Sequence, residues 1–568
     1  MAIDNDFIAE KFSLLSKLMD IHGENSFKTR SYSVAAFTIE KLPDSLLNIP
    51  PSKFTSIKGI GDAIGKKIQE IIQTGELKLL NQYIAATPPG IMEMLRIKGL
   101  GPKKIATIWK EMSIESIGEL LYACQENRLL LYKGFGEKTQ KNVQETIEFY
   151  LKNQGSHLYA DVEAYALSVH DKLEKHFANA RIALTGEFRR QLETIDQLQW
   201  VTTVSPGELH LFLESAKFTI QEEPTLEHSR FKGPEGVLLD FIHTSPDAFV
   251  STLFTTSCSG EFLASWQEKF STDKAATPAG TINPGNGSPY ASEEEIFSAA
   301  AIHFVPPFLR EQAEILDAAK QKPLPTLIQP GDIRSIIHSH SNWSDGSNTL
   351  EEMARACIAK GYEYLVISDH SKSAFYANGL QEDRIVAQHQ LIGELNRQLA
   401  PFVIFKSIEC DILNDGALDY ADNILSAFDL VIASVHSNLK MNEDKAMTRL
   451  LRAIENPYTT ILGHMTGRLL LSRPGYPVDH KKIVDACAAN HVVIELNAHP
   501  RRLDIDWRWI RYALDKGVLI SIDPDAHSTE GYEDIRYGVL AAQKAGLTPD
   551  RNLSSFSLDQ FKAFLAAR

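Results

Sequence analysis

From residue 333 onward the chain repeats one local design, and that design constrains the fold more than any other feature. Seven short runs rich in β-branched and aliphatic residues can be picked out: IRSIIHSH, EYLVISDH, FVIFKSIECD, DLVIASVHS, TTILGHM, VVIELNA and VLISIDPDAH. Helical stretches such as LEEMARACIAKGY and DHKKIVDACAAN separate them. Alternation of this kind predicts a parallel sheet or a (β/α) barrel. The ends of the runs carry the chemistry. His338 and His340 close the first run with Asp345 just beyond, His370 closes the second, Glu409 the third, His436 the fourth and His464 the fifth. Asp525 and His527 close the seventh. In a barrel the C-terminal strand ends converge on one mouth, where active sites are assembled.

One histidine after a strand is usually a satisfied structural residue. Nine nitrogen and oxygen ligands at the same end of successive strands are not explained that way. A His/Asp/Glu set without thiolate suits Zn²⁺, Mn²⁺ or Fe²⁺, and its size exceeds the needs of one ion. Two or three divalent ions close together would activate a water and stabilise both oxygens of an in-line phosphoryl displacement. Glu409 and Asp525 are the carboxylates placed for catalysis, with Glu409 the natural bridge. Downstream, NAHPRRLD supplies Asn497, Arg501 and Arg502, whose planar donors suit phosphate oxygens. Ordinary salt bridges are an equal alternative for the arginines.

The N-terminal part holds an internal repeat. FTSIKGIGDAIGKKIQEII (54–72) is echoed by MLRIKGLGPKKIATIWKEM (94–112) and by LLLYKGFGEKTQKNVQETI (129–147). Each copy has an apolar lead-in, then Lys-Gly-apolar-Gly, then an amphipathic helix. The lysines are Lys58, Lys98 and Lys133; the glycine pairs are Gly59 and Gly61, Gly99 and Gly101, Gly134 and Gly136. Gly-x-Gly permits a tight turn and close approach of another backbone, and the helix that follows aims N–H groups and its positive dipole end outward. Such a device grips a phosphodiester backbone without reading its sequence. These segments resemble helix-hairpin-helix DNA-binding motifs.

The net charge of −15 does not oppose a DNA partner, because charge is unevenly spread. Residues 51–104 carry nine Lys and Arg against four Asp and Glu. A local basic face can engage phosphates while the rest of the chain stays acidic. Five scattered cysteines, none in a C-x-x-C pair, predict reduced thiols in a cytoplasm. No signal pattern opens the chain and no apolar run suits a bilayer.

The barrel segment closely resembles a PHP (polymerase and histidinol phosphatase) domain. HSH, SDG, SDH, IECD, SVHS, GHMTGRLL and PDAHS stand in family order. GHM replaces the usual GHP and NAHP the common NANP, and neither change removes a ligand. The resemblance implies three metal positions: His338, His340, Glu409 and Asp525 at one, Glu409, His436 and His464 at a second, and Asp345, His370 and His527 at a third. Hairpins in front and a PHP domain behind resemble the bacterial family X DNA polymerases over essentially the whole chain. IHGENSFKTRSYSVAA is similar to the start of their lyase-type domain, and FVPPFLREQAEILDAA (304–319) to the end of their thumb. That implies a Schiff-base role for Lys67 in GKKI, beside the plainer reading of a phosphate-contacting or solvated lysine.

The family's palm carries a Gly-Ser that cradles triphosphate, an Asp-x-Asp on one strand and a third Asp on a neighbour. Here GEFRRQLETIDQLQWV (186–201) keeps Gly186, Arg189, Arg190 and Glu193, but has Glu187 for the serine and Gln197 and Gln199 for the strand aspartates. Asp240 in VLLDFIH survives. Asp196 would point to the opposite strand face. Neutral glutamine is a poor Mg²⁺ ligand, and Glu187 sets negative charge where triphosphate must dock. Mg²⁺ is therefore not expected at the palm.

The expected architecture is multidomain. Residues 1–85 form a helical lyase-like DNA-binding domain with the first hairpin, and 86–154 a fingers-like helical region with the second and third. An α+β nucleotidyltransferase-like palm spans 155–250 and a thumb-like region 251–325. A distorted (β/α)7 PHP barrel completes the chain over 333–568. The expected activity is metal-dependent hydrolysis of DNA phosphodiesters, a 3′→5′ exonuclease with abasic-site or 3′-end cleaning, acting as a monomer on gapped, nicked or damaged DNA. The alternatives are an active polymerase with associated nuclease, a non-catalytic DNA-binding scaffold, and a small-molecule phosphoesterase.

Overall fold

The computed structural model describes residues 3–42, 44–97, 99–151, 155–222, 224–233, 236–270 and 289–568. Lys98 and residues 271–288 of the thumb-like stretch lie outside the described residues. Contacts divide the chain into two units, Met1–Glu148 and Phe149–Arg568.

The first unit is helical: α1 (Asn5–His22), α2 (Ser26–Glu40), α3 (Asp62–Thr74), α4 (Lys78–Ala85), α5 (Pro89–Met94), α6 (Pro102–Lys110), α7 (Ile117–Gln125) and α8 (Glu137–Leu151). The three sequence repeats become three copies of one turn. Gly59, Gly99 and Gly134 sit at φ +90°, +94° and +97°, where an L side chain is strained. The apolar residue between each glycine pair, Ile60, Leu100 or Phe135, is buried and pins the turn. The same backbone bond closes each copy: Ile60 N–H to Ile57 C=O at 3.0 Å, Leu100 to Ile97 at 3.2 Å, Phe135 to Tyr132 at 3.1 Å. Gly61 and Gly101 then cap α3 and α6, and neither helix has a side-chain cap. Apolar residues at helical spacing, Ile64, Ile68 and Ile71 in α3 and Ile105 and Ile108 in α6, bury the opposite face.

In the second unit a five-stranded sheet comes first: β1 (Ile182–Thr185), β2 (Leu198–Thr202), β3 (Thr219–Ile220), β4 (His228–Lys232) and β5 (Leu238–His243). Its spatial order is β1-β2-β5-β4-β3, with β2 and β5 parallel and Gln199 beside Asp240. Trp200, Phe231 and Phe241 build its core, with Trp200 and Phe241 stacked at 5.1 Å. Asp196 lies in the bend before β2 and accepts a hydrogen bond from Ser156.

All seven expected runs are parallel strands: β6 (Ser335–Ile336), β7 (Tyr364–Ile367), β8 (Val403–Asp411), β9 (Leu430–Ser434), β10 (Thr459–Leu462), β11 (Val493–Asn497) and β12 (Ile520–Asp523). They lie side by side in sequence order. A parallel bridge between Ser339 and Ala526 joins the two outer strands at their C-terminal ends, so the sheet is a nearly closed barrel. The other end is plugged by Phe561 of the last helix, which stacks on Tyr364 at 4.6 Å and meets Phe405 edge-on at 4.9 Å. One end is thus sealed with hydrocarbon, leaving the C-terminal end for polar side chains.

Candidate metal centre

The strand ends bring His338, His340, Asp345, His370, Glu409, His436, His464, Asp525 and His527 to one place, nearly all of them buried. Glu409 is at the centre. Its Oε1 lies 3.3 Å from His338 Nε2, 3.0 Å from His436 Nε2 and 2.7 Å from His464 Nε2. Its Oε2 lies 2.9 Å from His370 Nδ1 and 3.6 Å from His340 Nε2. Asp525 Oδ1 approaches His338 Nε2 at 3.4 Å and His340 Nε2 at 3.1 Å. Asp345 stands 3.4 Å from His527 and 3.6 Å from His370.

These separations have a physical meaning. Ligands about 2.1 Å from a tetrahedral ion sit about 3.4 Å from one another. In the set His338, His340, Glu409 and Asp525 the four His-to-carboxylate separations run from 3.1 to 3.6 Å, which brackets that value. The groups that could hold an ion are this set, His340 with Asp345, His370 and His527, His370 with Glu409 and His436, and His338 with His464 and Glu495. Three of these four differ from the expected partition, and only the set of His338, His340, Glu409 and Asp525 matches it. His340 faces both neighbouring groups, and His370, rather than His464, completes the group around His436.

The donor atoms also lack other employment. His338 Nε2, His340 Nδ1, both ring nitrogens of His370, Asp345 Oδ2 and Glu409 Oε2 are buried without a hydrogen bond among the described residues. Leaving such atoms unpaired costs about 1–3 kcal/mol each, a cost that a cation's coordination removes. His338, His464 and Asp525 adopt φ of +59°, +43° and +52°. Left-handed backbone at non-glycine residues costs of order 1–3 kcal/mol and clusters where function demands a fixed side-chain direction.

Charge points the same way. Burial alone would raise the carboxylates, yet the surrounding rings hold Glu409 and Asp525 well below the usual range, through His436 and His338 on Glu409 and His338 on Asp525. His370 and His527 likewise depress Asp345 against its burial. His340 drops to about 4, from burial and then from His527 and His370, so its ring is neutral with a lone pair to give. His338 and His436 move up instead. Burial opposes the change, but Glu495, Asp525 and Glu409 raise His338 well above its normal value, and Glu409 and Asp411 bring His436 to about 10. Ionised carboxylates facing these rings could hold a cation, which would take the place of the ring protons of His338 and His436.

Sequence reasoning missed the supporting carboxylates. Glu495 Oε2 is 2.6 Å from His338 Nδ1 and Asp411 Oδ1 is 2.6 Å from His436 Nδ1, each fixing which ring nitrogen faces the centre. Asp411 stood in the quoted IECD and Glu495 in VVIELNA, but nothing local separates a supporting carboxylate from a ligand. Asp369 holds the first loop by accepting from Ser341, Ser344 and Gln388. Asn497, expected at a substrate phosphate, is buried. Its amide donates to Glu495 and Asp525 at 3.0 Å each, which places it behind the ligands. Arg501 and Arg502 are buried beside the mouth, with Arg502 Nε 4.0 Å from Asp525.

At the sheet of β1–β5, Gly186 (φ +64°) is covered by Gln199, whose Oε1 lies 2.0 Å from the point a Cβ on Gly186 would take. Gln199 Nε2 donates to Asp240 at 3.1 Å, and Arg230 Nε stands 3.6 Å from the other Asp240 oxygen. Gln197 lies just before β2, in the same connection as Asp196. Glu187 accepts from the Asp196 N–H at 2.9 Å. Arg189 and Arg190, which the palm motif keeps, are internal clamps. Arg189 pairs with Glu293, and Arg190 with Glu311 at 2.8 Å, because a buried and a half-buried carboxylate from 293–311 reach them first. Glu193 joins the barrel through Arg468 at 2.6 Å.

In the first unit Lys58 and Lys133 are exposed beside their glycine turns, and Gly61, Gly101 and Gly136 face open space. Lys67 is half-buried, its Nζ 5.9 Å from the Tyr32 ring.

Three DNA-type hairpin turns joined in one chain to a phosphoesterase-like barrel define a class of DNA-processing proteins. Residues 3–77 match a family model described as a helix-hairpin-helix domain, and residues 91–148 one described as a SAM-like helix-hairpin-helix tandem. The chain is 32% identical over 565 residues, 96% of each chain, to the DNA polymerase/3′-5′ exonuclease PolX of Bacillus subtilis (strain 168). A probable phosphatase of Thermoanaerobacter sp. (strain X514) is 26% identical over 232 residues, 38% of this chain and 89% of its own length. A probable phosphatase of Escherichia coli O81 (strain ED1a) is 26% identical over 207 residues, 34% of this chain and 78% of its own. The chain belongs to the bacterial family X DNA polymerases that carry a C-terminal PHP domain. Among the described residues no helix is long and apolar enough to cross a membrane.

Proposed function

We propose that this chain hydrolyses DNA phosphodiesters at the barrel mouth with two or three divalent ions (Mn²⁺, Zn²⁺ or Fe²⁺), acting as a 3′→5′ exonuclease that also clears abasic or blocked 3′ ends. The observation that carries the reading is the convergence of unpaired donors around Glu409 at the edge spacing of a metal polyhedron. Bound divalent ions supply a water activated for attack and positive charge for the attacking and leaving oxygens. Glu409, which belongs to two of the donor groups, would bridge ion positions. His340 belongs to two of the donor groups and Asp525 to one, and Asn497 and Glu495 hold Asp525 and His338 in orientation. Arg501 and Arg502 bind substrate phosphate at the rim. The hairpins of residues 1–148 hold gapped, nicked or damaged DNA, and Lys67 is the nucleophile of any lyase step.

Template-directed synthesis is lost in this reading. Gln199 fills the Gly186 cradle and ties up Asp240, where the family places triphosphate and carboxylate-bound Mg²⁺. The rival, a dual polymerase and nuclease, draws on the surviving Asp240 and on the name of the Bacillus relative, a DNA polymerase/3′-5′ exonuclease. One gel separates them: a gapped duplex with a labelled primer, Mn²⁺, with and without dNTPs. Primer shortening that disappears in His338→Ala/His340→Ala is expected. Shortening unchanged in that variant overturns the nuclease assignment, and extension abolished by Asp240→Ala overturns the reading of the palm.

A further inference from the structure

The loop after β7 presents a feature that metal binding does not use. Phe375 is 80% exposed, on a turn of 3-10 helix that starts only five residues beyond His370. An exposed phenylalanine is by itself ordinary. Its support is not. The Leu380 N–H donates to His370 C=O at 2.8 Å, Ala374 to Ser371 at 3.0 Å and Gly379 to Ala374 at 3.1 Å. The Lys372 N–H donates to Tyr420 Oη at 3.1 Å and the Ser373 N–H to Asp419 at 2.6 Å. Gly379 packs so closely that a Cβ there would lie 1.9 Å from the Ser371 carbonyl oxygen.

The loop is also stitched to the one that carries Asp345. Asn378 Nδ2 donates to the Trp343 carbonyl at 3.3 Å, and Arg384 joins the Asn378 carbonyl, at 2.7 Å, to that same Trp343 oxygen. The backbone that carries Phe375 is therefore tied down beside the donor cluster. A ladder of rings leads inward from it: Phe375 to Tyr376 at 5.9 Å between centroids, and Tyr376 to His370 at 6.4 Å. Both spacings fall within the range of aromatic contacts, about 4.5–7 Å.

We infer that Phe375 is a stacking platform for a nucleobase at the 3′ end of single-stranded DNA, a subsite beside the metal centre that seats the terminal nucleotide. This rests on the nuclease reading above. Every base has a π face, so a rigid aromatic gives affinity without sequence preference, matching hairpins that grip backbone alone. A preordered loop loses little entropy on binding, which suits a site that must seat each new end as trimming proceeds.

The test uses the full-length protein with Mn²⁺ and two oligonucleotides, one with ordinary 3′ nucleotides and one ending in tetrahydrofuran abasic residues. Phe375→Ala raises KM about tenfold on the ordinary end, leaves kcat unchanged and does not alter KM on the abasic end; Phe375→Trp restores the wild-type KM. Unchanged KM on the ordinary end overturns the inference, as does an equal loss on both ends, which a structural defect would produce. A 3′-terminal 2-aminopurine behind a nuclease-resistant phosphorothioate reports stacking without turnover. Its fluorescence is quenched by the wild type and not by Phe375→Ala, and equal quenching also overturns the inference. A wild type that trims neither substrate defeats the nuclease reading alone, because the quenching comparison still decides the subsite.

Discussion

At the scale of single residues, the centre depends on carboxylates that orient its histidines. Asp411 accepts from His436 Nδ1 and Glu495 from His338 Nδ1, so each selects the tautomer that turns Nε2 toward Glu409. Asp411→Asn keeps the shape but exchanges an anionic acceptor for a neutral amide. Metal affinity is expected to fall about 10- to 100-fold, measured by chelator competition, with the thermal unfolding of the metal-free protein little changed. Equal affinity would remove Asp411 from the centre's support. The nine strand-end residues were legible because strand period and run endings are local properties. Their partners were not. Glu495 sits inside VVIELNA, where a run buried on both faces offers no pattern to mark which side a carboxylate takes.

At the scale of elements, the contact between the five-stranded sheet region and the barrel holds a buried amine. Lys544 ends the helix Ile535–Lys544 and its Nζ donates to the Arg190 carbonyl at 2.7 Å and the Phe308 carbonyl at 3.3 Å. Burial brings its pKa down to about 8, although Glu311 resists the change. The unfolded chain restores the ordinary value of about 10.4. Between those values the unfolded state binds the proton and the folded state does not, so stability rises with pH from about 8 to about 10.4 and is flat, for this group, below. Denaturant midpoints measured across that window should climb in the wild type and lose this component in Lys544→Met. The hairpin elements were fully readable, because three copies of Lys-Gly-x-Gly demand the same positive-φ turn. The barrel strands were readable in order, but closure through Ser339 and Ala526 depends on elements at opposite ends of the sheet.

At the scale of the whole molecule, binding and chemistry are assigned to separate units. The basic residues of 51–104 lie within Met1–Glu148, whereas the centre lies within Phe149–Arg568. Lys58→Ala/Lys133→Ala should weaken DNA binding evenly across sequences. It should also lower the slope of log affinity against log salt by about 2, with kcat on a short oligonucleotide unchanged. A fall in kcat with an unchanged slope would contradict this division.

The sequence alone determined the elements and the donors: a repeated turn that only glycine permits, a parallel strand order, and nine side chains at one end of that order. Each is local or periodic, and short-range sterics enforce it. Only the tertiary structure decided how the donors group around Glu409, that Asn497 faces inward, that Arg189 and Arg190 are clamps, and that Gln199 occupies the Gly186 cradle. Those outcomes depend on partners far along the chain, 157 residues from His338 to Glu495 and 275 from Glu193 to Arg468. Burial settles them, since a charge or amide removed from water must take whichever partner the packed fold brings within reach.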